Sequence, residues 1–200
     1  MSFRAGNAAA LAAAFLFSAL PLQKVGAADI AAGEEKARIC AACHGEGGNS
    51  MNPEVPSLAG QPAQFIATAL FMFREGSRVN QQMTAMAKPL KNAEMNDIAA
   101  YFAAQKPAPP RHQSKPENVA AGPAMAKKFN CSQCHGPRLL GQQHIPRIAG
   151  QPYQYLRAQL LGFKAQRRFD IDGNMTSAAQ ALTEQDIEVL ADYLAGIKPD

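Results

Sequence analysis

The sequence has no tryptophan, only four cysteines and four histidines, and little net charge. Each scarcity excludes something. The formal charge is +4 over 200 residues, and setting aside Arg4 and Lys24 in the N-terminal leader leaves 18 basic against 16 acidic residues, a balance of +2. With so small an excess and no basic stripe, the electrostatic footprint of a nucleic-acid binder is missing. Beyond residue 28 no apolar run approaches the roughly 20 residues a membrane-spanning helix needs. The cysteines stand in two tight pairs, and a bridge inside Cys-x-x-Cys would close too short a loop to remove much chain entropy. They do not form a disulfide framework. What is present is a chain 47% hydrophobic and 18% charged, a composition that folds rather than stays disordered.

The N-terminus reads as an export signal. Arg4 gives the positive start, Ala8–Leu20 (AAALAAAFLFSAL) the apolar stretch, and Val-Gly-Ala-Ala (25–28) the small residues of a cleavage site before Asp29. The apolar stretch is short for a membrane anchor. The expectation is a signal peptide over residues 1–28 and a mature chain in the periplasm, where unprotected thiols oxidise.

The rest of the sequence is written twice. Ile30-Ala-Ala-Gly33 matches Val119-Ala-Ala-Gly122, and Cys40-Ala-Ala-Cys43-His44-Gly45 matches Cys131-Ser-Gln-Cys134-His135-Gly136. Pro56-Ser-Leu-Ala-Gly-Gln-Pro62 matches Pro146-Arg-Ile-Ala-Gly-Gln-Pro152, Met83-Thr84 matches Met175-Thr176, and Tyr101 matches Tyr193. Two copies of a unit of about 80 residues are too long and too few for a solenoid, in which many short repeats stack. Two similar domains are expected, over residues 29–106 and 119–200. The proline-rich segment 107–118 between them reads as a semi-rigid, extended linker.

Each unit reads as all-α. A helix over 31–42 leads into the Cys-His motif. Pro62 and Pro152 start helices whose apolar residues recur at helical spacing: Phe65, Ile66, Leu70 and Phe73 in the first unit, Tyr155, Leu156, Leu160 and Phe163 in the second. A final helix covers 93–105 with Asn92 as its cap, and its counterpart opens at Thr183 with Asp186 three residues on, as in a capping box. Met72 and Met95 fall on apolar helical faces and read as core. His112 reads as solvated in the linker, and His144 has no assigned role. Long loops and three short helices bury little apolar area, and domains of this size usually need a staple, a metal or a partner.

Cys-x-x-Cys-His supplies one. It is the attachment signature of c-type haem: two thiols one helical turn apart form thioethers with the haem vinyl groups, and the adjacent histidine reaches the iron from one face. A structural zinc site would need four ligands per unit. His144 could complete one in the second unit, but Glu54 stands at that place in the first. A thioredoxin-like dithiol needs a strand–helix context that is lacking. Cys40, Cys43, Cys131 and Cys134 are therefore the candidate haem attachment points, with His44 and His135 as proximal iron ligands. The sixth position can be filled by methionine, histidine or water. No second histidine recurs in both units. Met83 and Met175 do, each followed by Thr and each read as lying in a loop before the final helix. Met86 is the alternative to Met83, and its counterpart is Ala178. A carbonyl in the loop around Pro56 or Pro146 is placed to accept the other ring proton of each histidine. Arg147 is a candidate partner for a haem propionate.

Two such units, each with Pro-x-[Leu/Ile]-Ala-Gly-Gln-Pro, a Met-Thr segment and a Tyr-bearing last helix, resemble the dihaem cytochrome c4 family over nearly all of residues 29–200. The resemblance implies two class I cytochrome c domains facing each other, each wrapped around one covalently bound haem c, with the haems close enough for rapid exchange. It implies that the carbonyls of Pro56 and Pro146 accept from His44 and His135, and that Met83 and Met175 are the distal ligands. It also implies a periplasmic electron carrier, soluble or loosely membrane-associated. Such a carrier takes single electrons from a quinol-oxidising complex or a dehydrogenase and passes them to a terminal oxidase. Two other readings stay open on sequence: a haem subunit of a larger oxidoreductase such as flavocytochrome c sulfide dehydrogenase, and a catalytic haem protein in which one methionine is not a ligand.

Overall fold

The computed structural model describes residues 27–199, so the expected signal peptide lies almost wholly outside the described residues. Ten α-helices and no β-strand occur among them. The first half contains α1 (Ile30–Ala37), α2 (Ala41–His44), α3 (Ala63–Arg74), α4 (Gln81–Ala87) and α5 (Asn92–Ala104). The second half repeats the order as α6 (Pro116–Lys128), α7 (Cys131–His135), α8 (Tyr153–Lys164), α9 (Asn174–Gln180) and α10 (Glu184–Gly196).

The two halves pack alike. The first and last helices cross, α1 on α5 and α6 on α10, and the last helix also lies on the middle one, α5 on α3 and α10 on α8. The crossings explain a repeated glycine. A Cβ on Gly33 would overlap the backbone carbonyl of Asp97 in α5, and one on Gly122 would overlap the ring of Tyr193 in α10. Each half has its own apolar cluster. Ile66, Phe73, Met95, Ile98 and Phe102 centre the first, and Leu156, Leu182, Ile187, Leu190 and Leu194 the second. Met72 and Met95 are buried, as expected of core methionines.

Several expected boundaries move. The helix expected over 31–42 breaks at a 3₁₀ turn, Arg38–Cys40, which leaves α2 as one turn carrying Cys43 and His44. α5 starts at Asn92 rather than after it, because the Glu94 carboxylate accepts from the Lys91 N–H at 2.8 Å and fixes the first turn one residue earlier. The Thr183–Asp186 capping box forms as expected, with Asp186 N–H donating to Thr183 Oγ1 (3.1 Å) and Thr183 N–H to Asp186 Oδ2 (2.8 Å).

The connecting segment is extended, but α6 begins inside its expected bounds, at Pro116, which lacks the N–H that the first helical position does not need. It is also lashed down at both ends. Asn49 holds the backbone of Lys106 and Ala108, while Asp192 of α10 accepts from Lys115 N–H (2.9 Å), Asn118 Nδ2 (2.9 Å) and His112 Nε2 (2.7 Å). His112 is thus not merely solvated: its ring also stacks on Tyr153, 5.1 Å between centroids. Burial alone would raise the Asp192 carboxyl, but the bonds from Asn118, His112 and Lys115 outweigh it and hold it below the usual carboxylate value.

Candidate haem sites

The local fold aims each Cys-x-x-Cys-His motif in the same way. Cys40 closes the 3₁₀ turn and is half-buried against the first core, and Cys43 is exposed one turn on. Cys131 opens α7, half-buried against the second core, and Cys134 is exposed. None of the four is paired in a disulfide. Burial raises the pKa of the Cys40 and Cys131 thiols before attachment. Gly45 and Gly136, at φ 77° and 80°, end the motif helices in a backbone region that L side chains avoid.

His44 and His135 are the buried ends of these helices, 6% and 4% exposed. His44 Nδ1 lies 2.9 Å from the carbonyl of Pro56, and His135 Nδ1 lies 2.7 Å from that of Pro146. A carbonyl only accepts, so Nδ1 carries the proton in both rings. Burial lowers both imidazoles' pKa and so favours the neutral ring, an effect only partly offset by the bond to the proline carbonyl, which raises it. A neutral ring with its proton on Nδ1 has a free lone pair on Nε2. That is the state an iron ligand requires.

The methionines sit differently from the expected loop. Met83 lies in the first turn of α4 and Met175 in the first turn of α9. Short helices form there because side chains cap them: Asn80 Oδ1 accepts from Met83 N–H (2.9 Å), and Asp170 accepts from Met175 N–H (2.8 Å) and Thr176 N–H (3.0 Å). Both methionines are half-buried. Met83 packs on the cluster that also receives Cys40, whereas Met175 lies outside the second cluster. Met86 is 37% exposed one turn beyond Met83.

The halves meet through the repeated Ala-Gly-Gln-Pro segments. Gln61 brackets the backbone of Arg147, its Oε1 accepting from the N–H and its Nε2 donating to the C=O, both at 2.9 Å. Gln151 brackets Ser57 in the same way, at 2.9 and 2.7 Å. Three arginines gather at this junction. Arg147, 2% exposed, donates to the carbonyls of Ala59 and Ala149. Arg78 and Arg168 lie over Phe73 and Phe163, at 4.5 and 4.2 Å from the ring centroids, and Arg78 also donates to Tyr155 Oη across the interface at 3.3 Å. None of the three has an ion pair among the described residues, and Nε of both Arg147 and Arg168 is buried without a hydrogen-bond partner. Burial pushes Arg147 down to about 10, and burial with the charge of Arg78 pushes Arg168 to about 10. Burial would raise the Tyr155 hydroxyl, yet the two neighbouring guanidinium groups outweigh it and hold it low.

Buried guanidinium groups with orphaned N–H donors are costly unless an anion meets them. Haem carries carboxylates, its propionates, as well as the vinyl groups and iron that the cysteines and histidines suit. The donor set and this field of positive charge both fit the group. Sequence reasoning singled out Arg147 but not Arg78, Arg168 or the role of the two glutamines. A signal was there: Phe-x₄-Arg recurs at 73–78 and 163–168, in register with the rest of the repeat.

A family model for cytochrome c matches residues 30–106 and again 119–198. A cytochrome c4 of Thiocapsa roseopersicina is 39% identical over 181 residues, 84% of this chain and 93% of that protein. A thiosulfate dehydrogenase electron acceptor of Thiomonas intermedia is 34% identical over 182 residues, 82% of this chain and 81% of that protein. The crystal structure of reduced recombinant cytochrome c4 from Pseudomonas stutzeri superposes with a TM-score of 0.79 at 33% identity, covering 86% of this chain and all of that one. The chain therefore belongs to the cytochrome c family and, within it, to the cytochrome c4 proteins: it is an electron-transfer protein of two cytochrome c domains, not an enzyme, from a family that carries covalently bound haem c.

Proposed function

We propose that the protein is a periplasmic dihaem carrier of single electrons. Residues 1–28 are the export signal. Domains over residues 29–106 and 119–200 flank the linker 107–118, whose last residues open α6. Cys40 and Cys43 attach one haem c, and Cys131 and Cys134 the other. His44 with Met83, and His135 with Met175, would ligate the two irons. The observation that carries this reading is the pair of buried histidines, each with Nδ1 committed to a proline carbonyl and Nε2 left free.

Bound haem c would supply one Fe(III)/Fe(II) couple per domain. The protein's part is to orient and tune. The proline carbonyls fix the plane of each imidazole and raise its basicity as a ligand. Thioether ligation from methionine favours the reduced iron and raises the potential. The capped first turns of α4 and α9 hold Met83 and Met175 in place, and a second protein ligand on each iron would deny a substrate access to the metal. Arg147, Arg168 and Arg78 would supply donors for the haem propionates.

The donor is a quinol-oxidising complex or a dehydrogenase, and the acceptor a terminal oxidase. Similarity to a protein named for accepting electrons from thiosulfate dehydrogenase supports a dehydrogenase on the donor side. Among the described residues no helix is long and apolar enough to cross a membrane.

The test is a pyridine haemochrome assay on protein recovered from the periplasm, with spectra of the oxidised form. Two haems per chain, both low-spin and with a far-red sulfur-to-iron charge-transfer band, are expected. No haem would overturn the reading, and one high-spin centre would move that domain to a catalytic role.

A further inference from the structure

We propose that Gln61 and Gln151 are exchanged positioning residues, each tuning the axial histidine of the domain to which it does not belong. The inference rests on the ligation proposed above and extends it to the interface. It follows from which peptide group each glutamine touches. The carbonyl that accepts from His135 and the N–H of Arg147 belong to one peptide unit, 146–147. The carbonyl takes the histidine Nδ1–H at 2.7 Å, and the N–H on the far side of the same unit donates to Gln61 Oε1 at 2.9 Å. The other domain mirrors this. Peptide 56–57 takes the His44 proton at 2.9 Å and donates from Ser57 N–H to Gln151 Oε1 at 2.9 Å. Each axial histidine is thus the start of a two-bond chain that ends on a carboxamide across the interface.

Both carboxamides are buried, Gln61 3% and Gln151 2% exposed, and each is held at its other end by donation to a backbone carbonyl of the same residue it accepts from. Hydrogen bonds in series polarise one another, most strongly away from water. Accepting from the amide N–H makes the proline carbonyl a better acceptor. That carbonyl draws the Nδ1 proton and makes Nε2 more electron-donating. A more donating imidazole stabilises Fe(III) relative to Fe(II) and lowers the potential. A glutamine acting only as interface glue would affect both domains alike or its own domain first. A relay through peptide 146–147 makes Gln61 act on the second haem, and one through peptide 56–57 makes Gln151 act on the first.

The test uses the full holo-protein with Gln61→Met, which keeps the length of the side chain and removes both polar atoms. A haem count of two per chain in the parent and the variant is read first. It checks the ligation itself, so that its failure is seen separately. Redox titration followed by NMR then resolves each haem by its own signals. The expected result is a rise in the potential of the His135 haem, a few-fold in its reduction equilibrium. The His44 haem should be unchanged, and the His135 Nδ1 proton should exchange faster with deuterium. Gln151→Met is expected to give the mirror image. A shift confined to the variant's own domain, an equal shift in both, or no shift overturns the proposal. If Gln61→Met does not yield folded holo-protein, Gln61→Glu replaces it. That variant keeps an acceptor for Arg147 N–H and strengthens it, so the His135 potential should fall more than the His44 potential. Equal falls overturn the proposal.

Discussion

The first half steadies the segment bearing its candidate distal ligand with neutral groups, and the second does so with charges. Asn80 caps α4 through an uncharged amide. Asp170 caps α9 through a carboxylate that takes two backbone N–H groups and the Thr176 hydroxyl, and a further pair, His144 with Asp172 at 3.0 Å, ties the proximal loop to the segment before α9. The same contrast recurs on the last helix. Asp192 of α10 gathers the linker, whereas Ala100 stands at the matching place in α5. Duplication kept the helices, the cysteine–histidine motif and the proline carbonyl. What diverged is how each half is tied down around them. The two halves should therefore respond alike to changes in the core and differently to changes in charge.

The largest effects test the likeness. Phe102 and Leu194 occupy matching core positions on α5 and α10, 2% and 3% exposed. Phe102→Ala should cost about 4 kcal/mol and Leu194→Ala about 3 kcal/mol. Hydrogen exchange should show each loss chiefly in its own half. Next come the crossing glycines. Gly33→Ala pushes against the Asp97 backbone and Gly122→Ala against the root of the Tyr193 ring, neither of which can swing away, and each should cost about 3 kcal/mol. A markedly smaller cost in one half would mean that its crossing yields more readily than its geometry implies.

The smaller effects test the divergence. Asp192 is held below its usual value of 3.8, so its contribution is complete above that pH and is lost as pH falls through the depressed value. Acid titration of the holo-protein should loosen the linker and α10 before α5, and Asp192→Asn, costing about 2 kcal/mol at neutral pH, should abolish that order. Last are the caps. Asp170→Ala should cost about 1.5 kcal/mol and Asn80→Ala about 1 kcal/mol. Added imidazole should displace Met175 more readily in the first variant and Met83 in the second. Salt should narrow the difference only in the second half.

Much of this was legible in sequence because the repeat could be read against itself. The paired Cys-x-x-Cys-His, the proline carbonyl loop and the apolar helical faces each appear twice, and each copy supports the other. The legible part was local: a motif within one turn, a cap three residues away, an apolar face along one helix. What was not legible depended on where distant segments meet. The cap from Asp170 to Met175 turned an expected loop into a helix, and nothing in Asp-Ile-Asp-Gly-Asn fixes that geometry beforehand. His112 looked solvated among prolines because its partner, Asp192, lies 80 residues further on. The glutamines were visible as repeated letters, but their reach into the opposite half follows only from where the two Ala-Gly-Gln-Pro segments meet.

The most direct test of the account is the NMR spectrum of the reduced holo-protein, in which a methionine methyl lying over a haem face is shifted far upfield by the ring current. The account predicts two such methyl signals. One should vanish in Met83→Ala, the other in Met175→Ala, and neither in Met86→Ala. A single upfield signal, or the loss of one in Met86→Ala, would contradict the proposal of two sites of one kind ligated by Met83 and Met175.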